Sequence, residues 1–313
     1  MPPTTPKTKT YIHLVRHAQG HHNVSAANHS LPDPLLTPLG ESQCFALRDS
    51  FPYHDKITHL VASPMRRTLY TCLLSFQPAV ERLRLQSQSQ NDGKKKKGGG
   101  GVVVALPEVQ EVSNLPCDCG SSPEKLHEEF DEGGLVDLGL VKEGWQDKAS
   151  PDSPWKPEME KLKRRAEKAR RWLFELASQG QGSGSPSKSA KSQADCGEEE
   201  PEEPEEEKHI VVVTHGGLLH FLTQDFDGMD LNKGTGWGNT EWRSYEFVVT
   251  EAENVRLKET EESWRKRKGS AKPWTETEQL EMMAAVDERL RQSFGDGVKR
   301  VGGKRVGGER VDV

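Results

Sequence analysis

Short apolar runs alternate with longer amphipathic stretches along this chain. Each apolar run holds four or five residues, a length typical of strands that are buried on both faces. Such strands are predicted at residues 11–15, 59–62, 102–106, 210–213 and 245–249. Apolar positions three or four residues apart predict helices between them. These helices are expected at residues 38–50, 64–76, 158–177 and 218–222.

The alternation of strands and helices favours a largely parallel sheet, because parallel strands need a crossover connection that a helix normally provides. We therefore expect the α/β class, with a three-layer α/β/α sandwich around a mostly parallel sheet. A local signal supports the first helix. Thr37 precedes Pro38, and this pair is typical of a helix start because threonine caps the helix and proline fits its first turn.

Polar segments interrupt the pattern and divide the chain. Residues 86–101 are rich in serine, glutamine, lysine and glycine, and residues 178–208 end in a block of glutamates. Neither segment has enough apolar surface to bury, so both are predicted to be disordered insertions. They interrupt a domain predicted at 11–250, which a disordered stretch at 1–10 precedes.

The remaining residues, 251–313, are predicted to form a C-terminal extension. A helix is expected at 275–294, where Thr275 and Glu278 have the spacing of a capping box. The last residues repeat Arg-Val-Gly-Gly, which is too short and too rich in glycine for a solenoid. They are expected to be a disordered tail.

The amino-acid composition and net charge exclude several classes of protein. Hydrophobic residues make up 33% of the 313 residues and charged residues 29%, a low apolar share that agrees with the predicted insertions. The net charge of −6 argues against a dedicated nucleic-acid or membrane-surface protein. No run is apolar enough to span a bilayer, and no apolar leader or disulfide framework is evident. We therefore expect a cytoplasmic protein, with the nucleus as the alternative.

Polar side chains follow three of the predicted strands. Arg16 and His17 follow the first strand, Arg67 lies just beyond the second, and His215 follows the fourth. Open α/β sheets bind ligands outside the carboxyl ends of their strands, so these side chains are expected to surround one cavity. Guanidinium groups form bidentate hydrogen bonds to phosphate, and a histidine can attack phosphorus as a nucleophile. The pattern predicts a site for a phosphoryl group.

These motifs resemble those of the histidine phosphatase superfamily, also called phosphoglycerate mutase-like. The family's opening Arg-His-Gly and a later Asn are matched by Arg16, His17 and Asn23, with Ala18 in place of the glycine. The family's acidic residue is matched by Glu111, and its second histidine by His215. Two further segments of the family pattern are matched at Asp33, Leu36, Thr37, Gly40 and Gln43, and at Ser63, Arg67, Thr68 and Thr71. The regions 136–145 and 239–247 are similar to those of fungal members.

The resemblance implies a fold of the phosphoglycerate mutase type and a metal-independent phosphatase without a cofactor. His17 would be the nucleophile that forms a phosphohistidine. Glu111 would protonate the leaving oxygen and then activate water. The residues implied to bind or neutralise the phosphoryl group are Arg16, Asn23, Arg67 and His215, the last of them as a third catalytic residue. The implied substrate is a small phosphorylated metabolite, with neither a membrane nor a nucleic acid as partner.

Several neighbours of the matched residues could also belong to the site. Glu108 lies three residues before Glu111 and also follows the third predicted strand, so it is the alternative proton donor. His21 and His22 flank the matched positions and are expected to line the rim of the site. Arg66 adjoins Arg67 and is expected to be a solvated or ion-paired neighbour.

Two other functions compete with a phosphatase. A phosphoglycerate mutase is one alternative, but mutases of the family follow their acid with His-Tyr-Gly, whereas Val-Ser-Asn follows Glu111 here. A catalytically weak member that serves as a binding or scaffold protein is the other. The retained nucleophile and its cationic neighbours favour catalysis. The sequence leaves the oligomeric state open.

Overall fold

A computed structural model describes residues 9–90, 101–179, 207–230, 234–249 and 254–294. In this part of the chain a seven-stranded sheet has the order β4-β3-β2-β5-β1-β6-β7. Its strands are β1 (Lys9–Arg16), β2 (Ile57–Ala62), β3 (Val103–Ala105), β4 (Val136–Asp137), β5 (Glu207–Thr214), β6 (Trp242–Val249) and β7 (Val255–Glu259). Neighbouring strands are parallel from β4 to β1, whereas β6 is antiparallel to both β1 and β7. The sheet is therefore mostly parallel, as predicted.

Helices cover both faces of the sheet. They are α1 (Pro38–Ser50), α2 (Arg66–Ser75), α3 (Gln77–Gln90), α4 (Pro123–Phe130), α5 (Met159–Ser178), α6 (Gly216–Thr223), α7 (Glu261–Lys268) and α8 (Glu276–Phe294). Side chains of β5 alternate between two cores: Ile210 and Val212 pack with α5, α6 and α8, while Val211 and Val213 pack with α1 to α4. The predicted three-layer α/β/α arrangement is confirmed.

Two predicted helix starts are confirmed by their hydrogen bonds. The Thr37 hydroxyl accepts a hydrogen bond from the Gly40 amide at 3.0 Å, and Pro38 opens α1. The Thr275 hydroxyl accepts from the Glu278 amide at 3.3 Å, and the Glu278 carboxylate accepts from the Thr275 amide at 2.7 Å. Each bond satisfies an amide that the helix itself leaves unpaired.

The limits of the segments that were predicted to be disordered need three corrections. Helix α3 continues to Gln90, five residues into the predicted insertion at 86–101. Strand β1 begins at Lys9 and pairs with β5 from Glu207 onwards, so backbone bonding extends both strands into segments that were predicted to be disordered. Residues 1–8, 91–100, 180–206 and 295–313 lie outside the described residues, and the predictions of disorder there stay predictions.

The predicted boundary at residue 250 falls inside the sheet. Strand β7 pairs with β6 along five residues, and Val286 and Leu290 of α8 lie in the core that α5 and α6 share. Most of the predicted C-terminal extension therefore packs as part of the same domain. The pattern missed β7 because an edge strand needs only one apolar row. In the part of the chain that is described, no helix is long and apolar enough to cross a membrane.

Candidate active site

The three polar strand ends converge at one edge of the sheet. The imidazole rings of His17 and His215 lie 5.2 Å apart between centroids. An Nη atom of Arg67 lies 3.3 Å from Nδ1 of His215. Strands β1, β2 and β5 are parallel neighbours, so their carboxyl ends bring these residues together. The convergence that the sequence predicts is present in the structure.

His17 is held in one tautomer. Its Nδ1 lies 2.7 Å from the carbonyl oxygen of Ala18, and because a carbonyl only accepts hydrogen bonds, Nδ1 carries the proton. The unshared electron pair of the neutral ring is therefore on Nε2. Burial, reinforced by the positive charges of Arg67 and Arg16, lowers the pKa of His17 well below its usual value. The ring is neutral and buried, with a nitrogen able to act as a nucleophile.

His215 takes the opposite tautomer. Its Nδ1 faces the Arg67 guanidinium, which only donates, so Nδ1 accepts and the Nε2 proton is shared with the Ser63 hydroxyl at 2.9 Å. Burial, with Arg67 as the next cause, lowers the pKa of His215 well below its usual value. Ser63 and Arg67 thus fix the orientation of this ring.

Two guanidinium groups keep unused donors at the site. Arg67 is fully buried, and its Nη atoms donate to the Cys117 carbonyl at 2.6 Å and to the Asp118 carboxylate at 3.1 Å. One Nη atom of Arg16 donates to the Trp237 carbonyl. The Nε atoms of both arginines are buried and meet no hydrogen-bond acceptor among the described residues. Arg66, in contrast, forms an ion pair with Glu129 at 2.6 Å, as expected of a neighbour outside the site.

The structure separates the two candidate proton donors. Glu108 forms an ion pair with Lys168 of α5 at 2.5 Å, which directs it towards the helical layer. Glu111 accepts a hydrogen bond from the Val112 amide at 2.8 Å and lies against the start of α6. A side-chain carbon on Gly217 would come within 2.6 Å of its Oε1, so this glycine gives the carboxyl its room beside the His215 loop.

The surroundings of Glu111 favour its protonated form. Burial raises the pKa of Glu111, and the negative charge of Asp118 adds to the effect, while the Val112 amide and the Arg67 charge oppose it. Arg16 also lies close enough for electrostatic interaction with this carboxyl. A buried carboxylic acid with a raised pKa is suited to general acid catalysis.

Sequence reasoning missed the residues that hold this loop. Lys148 is 1% exposed, and its ammonium donates to the carbonyl oxygens of Glu111 at 2.6 Å, Ser113 at 3.0 Å and Asp118 at 2.5 Å. Burial lowers the pKa of Lys148 to about 8. Asp118 in turn accepts from Arg67 and from the Ser113 hydroxyl. The contacts of Lys148 and Asp118 thus fix the segment that carries Glu111.

Asn23 lies apart from this cluster. It is exposed, and its side-chain oxygen accepts a hydrogen bond from the Gly20 amide at 3.0 Å, which closes the short helical turn after His17. The structure gives it a local capping contact. Asn239, which lies in a region singled out by the sequence, donates to the His17 carbonyl at 3.0 Å. Among the described residues, no group of three or more His, Cys, Asp or Glu is arranged to hold a metal ion.

Known proteins resemble this chain over different lengths. Residues 12–86 match the family model of the Histidine phosphatase superfamily (branch 1). The Arabidopsis thaliana protein named phosphoglycerate mutase-like protein 1 is 42% identical over 72 residues, which are 20% of this chain and 26% of that protein. The chain thus spans about a quarter of the length of this curated relative.

Solved structures are similar at low identity. A mycobacterial glucosyl-3-phosphoglycerate phosphatase is 17% identical with a TM-score of 0.40, over 80% of this chain and 96% of that one. A phosphoserine phosphatase from Entamoeba histolytica is 15% identical with a TM-score of 0.37, over 80% and 97%. The family match is more specific, because residues 12–86 hold Arg16, His17 and Arg67. It shows that this segment, about a quarter of the chain, is similar to the histidine phosphatase superfamily.

Proposed function

We propose that this protein is a phosphatase that hydrolyses a small phosphorylated metabolite through a phosphohistidine on His17. One observation carries the proposal. A buried, neutral His17 has its Nδ1 proton engaged by the Ala18 carbonyl, and two guanidinium groups with unused Nε–H donors lie beside it. Buried donors without partners are rare in folded proteins, and a phosphoryl dianion would satisfy both.

In the first step Nε2 of His17 attacks phosphorus, and the bond from phosphorus to the ester oxygen breaks. Glu111 gives its proton to that leaving oxygen. The raised pKa of Glu111 supports this role, because the carboxyl stays protonated to a higher pH than an exposed one. The Ala18 carbonyl stabilises the positive charge that develops on the ring by accepting the Nδ1 hydrogen bond.

In the second step water attacks the phosphohistidine. The Glu111 carboxylate accepts the proton from water, the phosphorus–nitrogen bond breaks, and inorganic phosphate leaves. Arg16, Arg67 and His215 neutralise or bind the phosphoryl oxygens in both steps. Phosphoryl transfer depends mainly on positioning and charge stabilisation, which these three residues would supply without a metal ion.

Two finer assignments rest on sequence alone. The similarity of 136–145 and 239–247 to fungal members favours a fungal-type branch. The capping contact of Asn23 with Gly20 uses its side-chain oxygen. Its amide nitrogen can still donate to a bound phosphoryl group, and we propose that it does so.

The test is turnover of p-nitrophenyl phosphate with EDTA present, from about pH 4.5 to about pH 8. The wild type is expected to hydrolyse the ester, and His17→Ala is expected to abolish turnover. Denatured protein from a wild-type reaction that is quenched in alkali should carry acid-labile phosphate, as phosphohistidine does. A variant as active as the wild type would contradict the mechanism, and activity lost with EDTA would contradict its metal independence.

A further inference from the structure

His22 is a third imidazole at this site. It is only 7% exposed, and its ring lies 5.3 Å from that of His17 between centroids. Its neighbours in sequence, His21 and Asn23, are both exposed. The short helical turn 21–23 therefore directs this one side chain inward, beside the proposed nucleophile.

The buried edge of the His22 ring has no partner. Its Nδ1 is buried and meets no hydrogen-bond donor or acceptor among the described residues, whereas buried polar atoms in folded proteins nearly always have one. Gly20 makes space for the ring, since a side-chain carbon there would lie 2.8 Å from both Nδ1 and Cε1. The chain thus buries a polar ring with an unpaired nitrogen at this position. An apolar side chain here would have avoided burying an unpaired polar atom.

The electrostatic surroundings of His22 are those of the phosphoryl site. Burial, with the positive charges of Arg67 and Arg16, lowers the pKa of His22 to about 2. The ring is therefore neutral and lies within the field of the same two guanidinium groups that flank His17. A dianion bound between these groups would offset the positive charge and favour a ring that donates a hydrogen bond.

We propose that His22 is a phosphoryl-binding residue, which donates a hydrogen bond from its ring to an oxygen of the phosphoryl group carried by substrate or by His17. The expected effect of His22 on turnover rests on the phosphatase function proposed above. The expected effect on phosphate binding does not depend on that function, because inorganic phosphate would occupy the same place. His22 adds to Arg16 and Arg67 a donor that carries no fixed charge.

The test compares His22→Asn, His22→Gln and His22→Phe, with His21→Asn as the exposed control. Asparagine places an amide nitrogen near the position of Nδ1, and glutamine places one near Nε2. Binding of inorganic phosphate is measured by titration calorimetry, with thermal unfolding of each variant alongside. His22→Phe is expected to weaken binding about 10- to 100-fold, while one of the two amide variants stays within a few-fold of the wild type. The amide variant that binds identifies the donating nitrogen.

Turnover of p-nitrophenyl phosphate gives the second readout. His22→Phe should lower kcat/KM about 10²-fold or more, and His21→Asn should leave it unchanged. Wild-type phosphate affinity in all three variants would overturn the proposal. Equal loss in all three variants would also overturn it, since that indicates a structural role. If the wild type binds phosphate but hydrolyses no ester, the phosphatase function fails while the binding comparison still decides the role of His22.

Discussion

Two of the buried histidine pairs in the described part of the chain look alike by burial and distance. His17 and His215 lie 5.2 Å apart between ring centroids, and His13 and His209 lie 5.1 Å apart. All four side chains are at most 2% exposed, and burial lowers the pKa of each. Only their hydrogen bonds and their positions along the strands tell the pairs apart.

The His13–His209 pair is a closed network. The two rings bond to each other at 2.9 Å, His13 also bonds to the Ser244 hydroxyl at 2.9 Å, and His209 reaches the Glu207 carboxylate at 3.5 Å. Glu207 is itself paired with Lys56 at 2.6 Å. Every ring nitrogen has a partner, so these two rings keep no unused donor or acceptor.

The His17–His215 pair is open by comparison. It lies beyond the strand ends, and the arginines beside it keep buried Nε–H donors without partners. A buried histidine therefore says little about function by itself. Here the two guanidinium groups beside the rings, each with an unused Nε–H donor, distinguish the open pair from the closed one.

The largest expected effect separates the pairs directly. His17→Asn should lower kcat on p-nitrophenyl phosphate by at least about 10⁴-fold, because it removes the nucleophile. His13→Asn should leave kcat within a few-fold and lower the thermal stability instead. Steady-state kinetics and thermal unfolding of both variants test this. Equal loss of activity at the two positions would make the distinction between the pairs meaningless.

Glu111→Gln should have the next largest effect. Loss of the general acid should cost about 10²- to 10⁴-fold in kcat/KM on an alkyl phosphate. The cost should be smaller on p-nitrophenyl phosphate, whose leaving anion is stable without a proton. Since the folded-state pKa of Glu111 is raised, wild-type activity should fall as the pH rises through that pKa. The pH profile of the variant should not show this fall.

Glu108→Gln is the matched control, because Glu108 is paired with Lys168 on α5. It should keep the wild-type pH profile on both esters. The reverse result, with the alkyl-phosphate defect at Glu108, would move the proton donor to the alternative that the sequence left open.

Arg67→Lys should lower kcat/KM about 10²- to 10³-fold. The guanidinium group donates to Cys117 and Asp118 and would also donate to a phosphoryl oxygen, and a lysine ammonium cannot reproduce this geometry. Arg66→Lys, one residue away, should keep its ion pair with Glu129 and remain within about twofold. Phosphate affinity of the two variants, measured by calorimetry, should follow the same order. Similar losses at both positions would indicate a general need for positive charge.

The sequence predicted the parts of this site that depend on short spacings. Arg16 and His17 are adjacent, and Thr37 with Pro38 marks the start of α1 correctly. Such features are determined by local chemistry, so they can be read without the fold. The alternation of apolar runs was sufficient for the three layers.

The residues it missed depend on contacts between distant segments. Lys148 bonds to the Glu111 carbonyl, which lies 37 residues away in the sequence. No local sequence pattern predicts that this lysine is buried. His22 was expected at the rim, and only the turn around Gly20 shows that it faces inward. Asn23, which matches the family pattern, also caps its own turn, a contact that the sequence analysis did not predict.

The smallest expected effect concerns stability at the closed pair. Burial, with His209 as the second cause, lowers the pKa of His13 from 6.5 to about 3. Between these values the unfolded chain binds a proton that the folded chain excludes, so stability falls as the pH falls from 6.5 towards 3. One such group contributes a slope of about 1.4 kcal/mol per pH unit. His13→Phe should remove this contribution, while leaving Ser244 and His209 with unmade hydrogen bonds.

The variant should therefore be less stable than the wild type at pH 8, by about 1–3 kcal/mol, and should lose less of its stability on acidification. Urea unfolding at several pH values between about 4 and about 8 measures both quantities. Parallel curves would mean that His13 takes up its proton without unfolding the chain. The network through Ser244 and Glu207 would then have to open in acid, so that the folded chain binds the proton at His13 as readily as the unfolded chain does.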